Sequence, residues 1–460
     1  MIIGRKNEIK IIEESISDNK SHFISVYGRR RIGKTYLVNN VVLNRFLFKH
    51  SGIWNEGLKV QLKSFEISLS NSGLKPKRKI KCWLDAFDCL RTLVENSNEE
   101  KKIIFLDELS WMDTPKSDLM AALENFWNLF ASARNDIVLI VSASATSWML
   151  KKIIHNKGGL YNRLTDQIHL TQFNLNECEE YLIKNDITLT RLQILEYYMI
   201  FGGVPFYWKY IKKGLSMTQN IDYVLFSEQA PLKEEFKYLY GSIFTKPDAY
   251  LQIIKCLANK KIGLTRENII EETGINNSGD LTIKLEELES CGFIRKYTPF
   301  GVKKKNSIYQ LIDNYTIFYY TFLKDYPTDE KFWSNQINTA KVNAWKGYSF
   351  ERVCMEHIKQ IKNKMGISGI LTSIYSWSTK ANIDKGIKGS QIDLIIERKD
   401  QIINICEMKY SINEYTIDKD LYENIENKIN NFITNTKTYR RIIKATIYKC
   451  NLRHNIFGFV

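Results

Sequence analysis

The sequence predicts an α/β fold whose first part is a parallel, three-layer domain. Three observations predict it. Gly28-Arg29-Arg30-Arg31-Ile32-Gly33-Lys34-Thr35 fits G-x-x-x-x-G-K-[ST] without a mismatch. It lies between an apolar run, Phe23 to Tyr27, and a helical pattern of Leu37, Val38, Val41 and Val42. Strand, glycine loop and helix are the context that a phosphate-binding loop requires. Downstream, Ile103-Ile104-Phe105-Leu106 reads as a buried parallel strand that ends in Asp107-Glu108.

In chain order, residues 7–18 read as a helix with Asn7 as its N-cap. The loop from Gly28 to Thr35 offers backbone N–H groups and a helix N-terminus as an anion cradle. Lys34 would reach the β- and γ-phosphates of ATP, and the Thr35 hydroxyl would bind Mg²⁺, with Tyr36 next in the helix. Phe46-Leu47-Phe48 reads as a second strand, and 57–70 and 81–95 as helices. The basic stretch Lys75 to Lys81 fits a solvated loop better than a phosphate contact. At the second phosphate motif, Asp107 would hold Mg²⁺ through water, and Glu108 would orient or deprotonate the attacking water. The strand Ile137 to Val141 ends in Ser142-Ala143-Ser144. Either serine is a candidate to touch the γ-phosphate or the water, and the sequence does not choose between them. Arg163 precedes a strand at 167–170. It is a candidate finger on a neighbouring subunit's nucleotide, and equally a candidate for an ordinary salt bridge. The loop, Asp107-Glu108 and Ser142 all follow strand ends, where open α/β sheets bind ligands.

Composition bounds the rest. A chain of 460 residues allows about three domains. Its 44% hydrophobic and 25% charged content is that of an ordinary globular protein. A net charge of +15 favours an anionic partner, nucleic acid first and DNA before RNA, against the alternative of a lysine-rich solvated surface. The eight cysteines, at 82, 89, 178, 256, 291, 354, 406 and 450, form no C-x-x-C pair, and most fall within apolar patterns. They read as buried thiols, not as a zinc site. The start, Met1-Ile2-Ile3-Gly4-Arg5, lacks a signal-peptide core, and no apolar run has the length of a membrane span. The expectation is a cytoplasmic chain without a membrane partner.

Residues 176–240 read as mostly helical apart from Phe201-Gly202-Gly203-Val204-Pro205, a turn that opens a helix. With this turn the chain resembles the archaeal-type ATPases of the STAND branch of AAA+ proteins. The resemblance rests on Gly4-Arg5, Tyr27 to Thr35, Ile104 to Glu108, Ser142-Ala143-Ser144, Leu160 to Arg163 and Gly203-Val204-Pro205. It covers residues 1 to about 240. It implies a core at 1–175 and a helical lid at 176–245 whose Gly203 and Pro205 sit beside the base and couple nucleotide occupancy to domain rearrangement. It places Arg5 near the adenine. Homo-oligomerisation on ATP binding belongs to the same expectation.

Residues 246–312 fit a winged helix. Its helices fall at 250–257, 265–272 (capped by Thr265) and 279–290, with strands at 292–297 and 307–311 and Lys303-Lys304-Lys305 at the wing tip. Glu286, Glu287 and Glu289 on the third helix oppose DNA phosphate. Packing against the ATPase is therefore expected ahead of DNA binding, with any DNA contact through the lysines. The connector 313–346 is dense in aromatics, among them Phe318, Phe322, Tyr326 and Trp333, and fits interdomain packing ahead of base stacking.

Residues 347–460 read as one helix at 347–364 carrying Glu351, then extended segments at 370–377, 390–397 and 401–409. The last two form a hairpin. Asp393 on one strand and Glu407-x-Lys409 on the next resemble the PD-(D/E)xK nuclease core, with Ile392 where the name has proline. Period-two geometry puts Glu407 and Lys409 on one face. The resemblance implies a restriction-endonuclease-like α/β/α domain. Glu351, Asp393 and Glu407 would hold Mg²⁺, and Lys409 would stabilise developing charge. The helix near 418–432 and the strand 442–447 follow in matching order. The whole reads as an ATP-hydrolysing enzyme acting on nucleic acid, in defence or control of mobile elements. The alternative is an ATP-driven regulatory switch whose C-terminal domain binds but does not cut.

Overall fold

The computed structural model describes residues 2–244, 246–325, 327–379, 389–411, 419–449 and 457–459. Tyr326 and Cys450 lie outside them. The chain divides into two compact units. Met1–Gln172, Val204–Phe206 and Tyr238–Lys246 form the first, and Phe173–Gly203, Tyr207–Lys237 and Pro247–Val460 the second.

The first unit holds a five-stranded parallel sheet. Its strands are β1 (His22–Tyr27), β2 (Phe48–Ser51), β3 (Lys102–Asp107), β4 (Ile137–Ala143) and β5 (Asp166–His169), in the order β2-β3-β4-β1-β5. β3 and β4 are buried along their whole lengths, as continuous apolar strands covered on both faces must be. On one face Phe65, Trp83, Phe87 and Phe126, from the helices Leu58–Asn71, Trp83–Glu95 and Leu119–Leu129, pack on Phe23, Phe48 and Leu139. On the other, Ile12, Leu37 and Val38 from the helices Lys6–Ser17 and Lys34–Val42 pack on Ile24, Val26 and Ile140. These are the three layers expected.

Two local expectations are corrected. The first helix begins at Lys6, and Arg5, not Asn7, is its N-cap. Arg5 adopts a left-handed φ of 57° and its carbonyl accepts from Ile9 N at 2.9 Å, closing the first turn early. The second strand runs from Phe48, not Phe46, because its ladder with β3 pairs Phe48–Ser51 with Ile104–Asp107.

In the second unit, residues 248–311 form the helices Asp248–Ala258, Arg266–Thr273 and Gly279–Ser290 with an antiparallel sheet. Its strands are β6 (Leu264–Thr265), β7 (Ile294–Tyr297) and β8 (Ile308–Leu311), in the order β6-β8-β7. Thr265 caps the second helix, its hydroxyl accepting from Asn268 N at 3.3 Å. The connector aromatics turn inward: Phe318, Phe322, Trp333 and Trp345 meet with ring centroids 5.1–5.7 Å apart. Trp333 is fully buried, so it is not presented to a base.

The expected helix 347–364 is two helices, Ala340–Glu356 and Ile358–Lys364. The break falls at His357, whose Nε2 accepts from Leu175 N at 3.0 Å. Five strands follow: β9 (Thr372–Thr379), β10 (Ser390–Arg398), β11 (Ile402–Lys409), β12 (Arg441–Lys449) and β13 (Phe457–Phe459), in the order β13-β12-β11-β10-β9. β10 and β11 are the antiparallel hairpin, and β11 and β12 are parallel. The helix Lys419–Thr436 lies between β11 and β12 in the chain, the connection a parallel pair needs. The short β13 had no sequence signal. Among the described residues, no helix is long and apolar enough to cross a membrane.

Candidate functional site

The glycine loop leaves β1 and enters the helix Lys34–Val42. Gly28 takes φ +142°, and a Cβ there would lie 2.2 Å from Leu170 O, so this position needs glycine twice over. Gly33 takes φ +93° as the helix N-cap, and Arg31 takes 74°. Loop and helix N-terminus thus present the anion cradle read from the sequence.

Lys34 is buried, and its ammonium donates to Gly28 O (3.0 Å), Arg29 O (3.2 Å) and Ser144 Oγ (2.9 Å). Thr35 Oγ1 donates to Asp107 Oδ2 at 2.8 Å. Ser142 Oγ donates to Asp107 Oδ1 and accepts from Glu108 N at 3.3 Å. Ser144 donates twice to Glu108, its N–H to Oε2 at 2.9 Å and its hydroxyl to Oε1. The ends of β1, β3 and β4 therefore converge, and the two serines divide the work. Ser142 orients the buried Asp107, whereas Ser144 joins Lys34 to Glu108. Of the two serine candidates, Ser144 is the one at the lysine. A threonine hydroxyl beside a carboxylate is the hard oxygen set that suits Mg²⁺, so these residues fit that ion.

Arg5 is buried, donates to Thr171 O and lies 3.9 Å from Glu8. The same 170–171 segment touches Gly28, which brings Arg5 to the edge of the loop. Arg31 stacks its guanidinium 3.9 Å above the Phe206 ring, next to Pro205. Arg30 lies 5.9 Å from the Trp111 ring, whereas Ile32 is buried beneath the loop. Within the second unit, Gly203 O accepts from Phe173 N at 2.7 Å, and a Cβ on Gly203 would fall 1.7 Å from Phe173 O. The glycine is demanded there by close approach. Tyr36 and Arg163 are exposed.

A second constellation lies within the second unit. Asp393 precedes Leu394, which pairs with Cys406 next to Glu407, and the Glu407 charge is felt at Asp393. Lys409 Nζ lies 2.8 Å from Glu407 Oε1, as same-face period-two residues should. The carboxylates also meet cations the sequence reading missed. Lys428, on the helix before β12, donates to both Glu407 oxygens at 2.9 and 2.8 Å. Lys261, on the turn before β6, lies 3.2 Å from Glu351 Oε1. Burial, and then the Asp393 charge, push Glu351 up to about 7, with Lys261 opposing. Burial and the Glu407 charge likewise raise Asp393, with Lys428, Lys261 and Lys409 opposing. Among the described residues, no group of three His, Cys, Asp or Glu side chains is placed to hold a metal ion. Ammonium groups hold Glu351 and Glu407, two of the three carboxylates expected at the Mg²⁺ site. Lys428 sits beside the buried positions Ile429 and Phe432, a faint sequence signal. Lys261 is far away in the chain and left none.

The first unit's fold and site define a P-loop NTPase domain. Residues 2–211 match the family described as "ATPase domain predominantly from Archaea", and this part of the chain belongs to it. Over 373 residues, 79% of each chain, the sequence is 26% identical to an uncharacterized protein of Methanocaldococcus jannaschii. Over 45 residues it is 40% identical to an uncharacterized ATP-binding protein of the same organism, covering 10% of this chain and 76% of that one. Among solved structures it is similar to the Walker-type ATPase PABY2304 of Pyrococcus abyssi. That match has 15% identity and a TM-score of 0.48, and covers 69% of this chain and 96% of that one.

Proposed function

We propose that the chain is an ATP-hydrolysing switch of the STAND type that acts on nucleic acid through its C-terminal domain. The observation that carries the ATPase part is the hydrogen-bonded chain Lys34–Ser144–Glu108, beside Thr35–Asp107–Ser142. Lys34 binds the β- and γ-phosphates, and the loop N–H groups cradle them. Thr35 and Asp107 hold Mg²⁺, which supplies charge neutralisation when bound. Glu108 orients the attacking water and takes its proton, and Ser144 fixes the Glu108 carboxylate. Arg5 and the Gly203-Val204-Pro205 turn border the base, with 176–245 as a lid. Arg163 serves in trans if ATP binding brings copies together. ATP turnover by the wild type, lost in Glu108→Gln while nucleotide binding persists, tests this reading.

Residues 246–312 act as a winged helix, and 347–460 as a restriction-endonuclease-like domain. Support comes from the strand order, the Asp393–Glu407–Lys409 cluster and the net positive charge. Lysines hold two of the three carboxylates, Glu351 and Glu407. That pairing favours a second reading, a domain that binds nucleic acid without cutting. Plasmid, linear duplex and single-stranded substrates, each with and without ATP and Mg²⁺, separate the two. Cleavage that Asp393→Ala removes supports the nuclease; gel-shift binding with no cleavage under any condition supports the second.

A further inference from the structure

Two arginines of the second unit lack the counter-ions such groups ordinarily have. Arg295 lies on β7 opposite Gln310, whose Oε1 accepts from its Nε at 2.7 Å. Its guanidinium also sits 5.0 Å from the Tyr297 ring centroid. Arg352 lies on the helix Ala340–Glu356, and its Nη2 donates to Ser349 Oγ at 2.7 Å. Arg352 Nε is buried and has no hydrogen-bond partner among the described residues. A guanidinium is a fork of N–H donors, and each of these spends one on a side chain. Among the described residues neither is within ion-pair distance of a carboxylate. Glu356 and Glu351 lend Arg352 opposite charge from further off. Both have other partners: Glu356 accepts from Asn314 Nδ2 at 3.2 Å, and Glu351 lies 3.2 Å from Lys261. Burial disfavours the charge of both arginines, and Arg352 feels that of Arg295 as well. Like charges withdrawn from water call for a counter-ion.

Both arginines line one cavity of about 70 Å³, together with Lys261, Glu351 and Asp393. Lys261 offsets Glu351, so two guanidinium groups face one remaining carboxylate. The space is several times the ~10–15 Å³ that holds a single water. We propose that this cavity is a binding site for a phosphate monoester, held by Arg295 and Arg352. The inference goes beyond the nuclease and switch readings and needs neither. Planar forks take phosphate oxygens two at a time, and a monoester offers three free oxygens and a second negative charge where a diester offers two and one. The side-chain bonds to Gln310 and Ser349 hold the forks in place before the anion arrives. The arginines come from segments far apart in the chain, so the anion ties the 248–311 segment to the helix Ala340–Glu356. Free phosphate, a mononucleotide and the 5′ end of a strand all carry the group.

The test uses the full chain carrying Lys34→Ala, which weakens the nucleotide site, titrated with inorganic phosphate by calorimetry at constant ionic strength. Arg295→Gln and Arg352→Gln should each weaken binding about tenfold or more, the worth of a charge-assisted hydrogen bond. Asp393→Asn removes the opposing charge and should tighten binding by about threefold or more. A gain of affinity cannot come from misfolding, so this variant decides the matter where the arginine variants do not fold: a gain upholds the site, and no gain overturns it. Absent phosphate binding in the parent, or equal affinity in the parent and both arginine variants, also overturns it. Uridine 5′-monophosphate and a 5′-phosphorylated tetranucleotide, each beside its dephosphorylated twin, separate the sources. The form that binds tighter than inorganic phosphate is the natural carrier, and equal binding of both twins in both pairs overturns the proposal.

Discussion

Glu196 carries a sharp energetic prediction. It lies on the helix Arg191–Phe201, which runs into the Gly202-Gly203 turn. Its Oε1 accepts from Lys346 Nζ at 2.6 Å and from the Tyr410 hydroxyl at 2.7 Å. The side chains of Glu196 and Lys346 are only 11% and 4% exposed. At such a separation the Coulomb attraction is about 6 kcal/mol for an effective dielectric of about 20, much of it offset by desolvation. Glu196→Leu removes the counter-ion and strands a buried ammonium, so it should cost about 3–5 kcal/mol. Glu196→Leu with Lys346→Met and Tyr410→Phe removes all three polar groups together and should recover most of that loss. A two-unit chain does not unfold in one step, so the assay is hydrogen exchange of the 191–201 and 340–356 amides, resolved by mass spectrometry. A single variant costing under about 1 kcal/mol, or a triple variant as unstable as the single, would refute the reasoning.

Further outcomes are expected. Lys34→Ala should weaken ATP binding by about 10- to 150-fold, the worth of a charge-assisted hydrogen bond, read by calorimetry. Glu108→Gln should leave that affinity within about threefold and lower turnover by about 10²–10⁴ in a phosphate-release assay. Gly203→Ala drives a methyl into Phe173 O and should cost about 3 kcal/mol, seen as lost exchange protection around 173–203. Burial holds His357 down at about 4, below its ordinary 6.5. The unfolded chain then binds more protons between these values, so stability falls as pH drops from 6.5 towards 4, by up to about 3 kcal/mol. Glu351 and Glu356, raised to about 7 by burial, work the other way: their contribution is lost as pH rises from about 4.5 to 7. The difference between wild type and His357→Gln in hydrogen exchange of the 340–364 amides across this range isolates the histidine.

The nucleotide site was legible because its chemistry is local. Loop, strand end and serines each carry their own signal, and a parallel sheet brings strand ends together whatever the loops between them do. The hairpin that places Asp393 by Glu407 was legible for the same reason. The sequence did not separate Ser142 from Ser144, because alternate residues of a strand end differ only in the face they take. It did not expose Lys261 or Lys428, since ion pairing over long sequence distance leaves no pattern in either partner's neighbourhood. The break at His357 was hidden too. Its cause is the orphan N–H of Leu175, at the start of another helix far away in the chain.

Ser144 has a single hydroxyl proton, and it goes to Glu108, so the oxygen can only receive from Lys34. Both Glu108 oxygens already accept hydrogen bonds from this one residue. Each oxygen keeps a second lone pair, so the carboxylate can accept from a water as well. Lys34 is the member with nothing to spare. All three protons of its ammonium are already given, to Gly28 O, Arg29 O and Ser144 Oγ, so a phosphate oxygen can take one only in exchange.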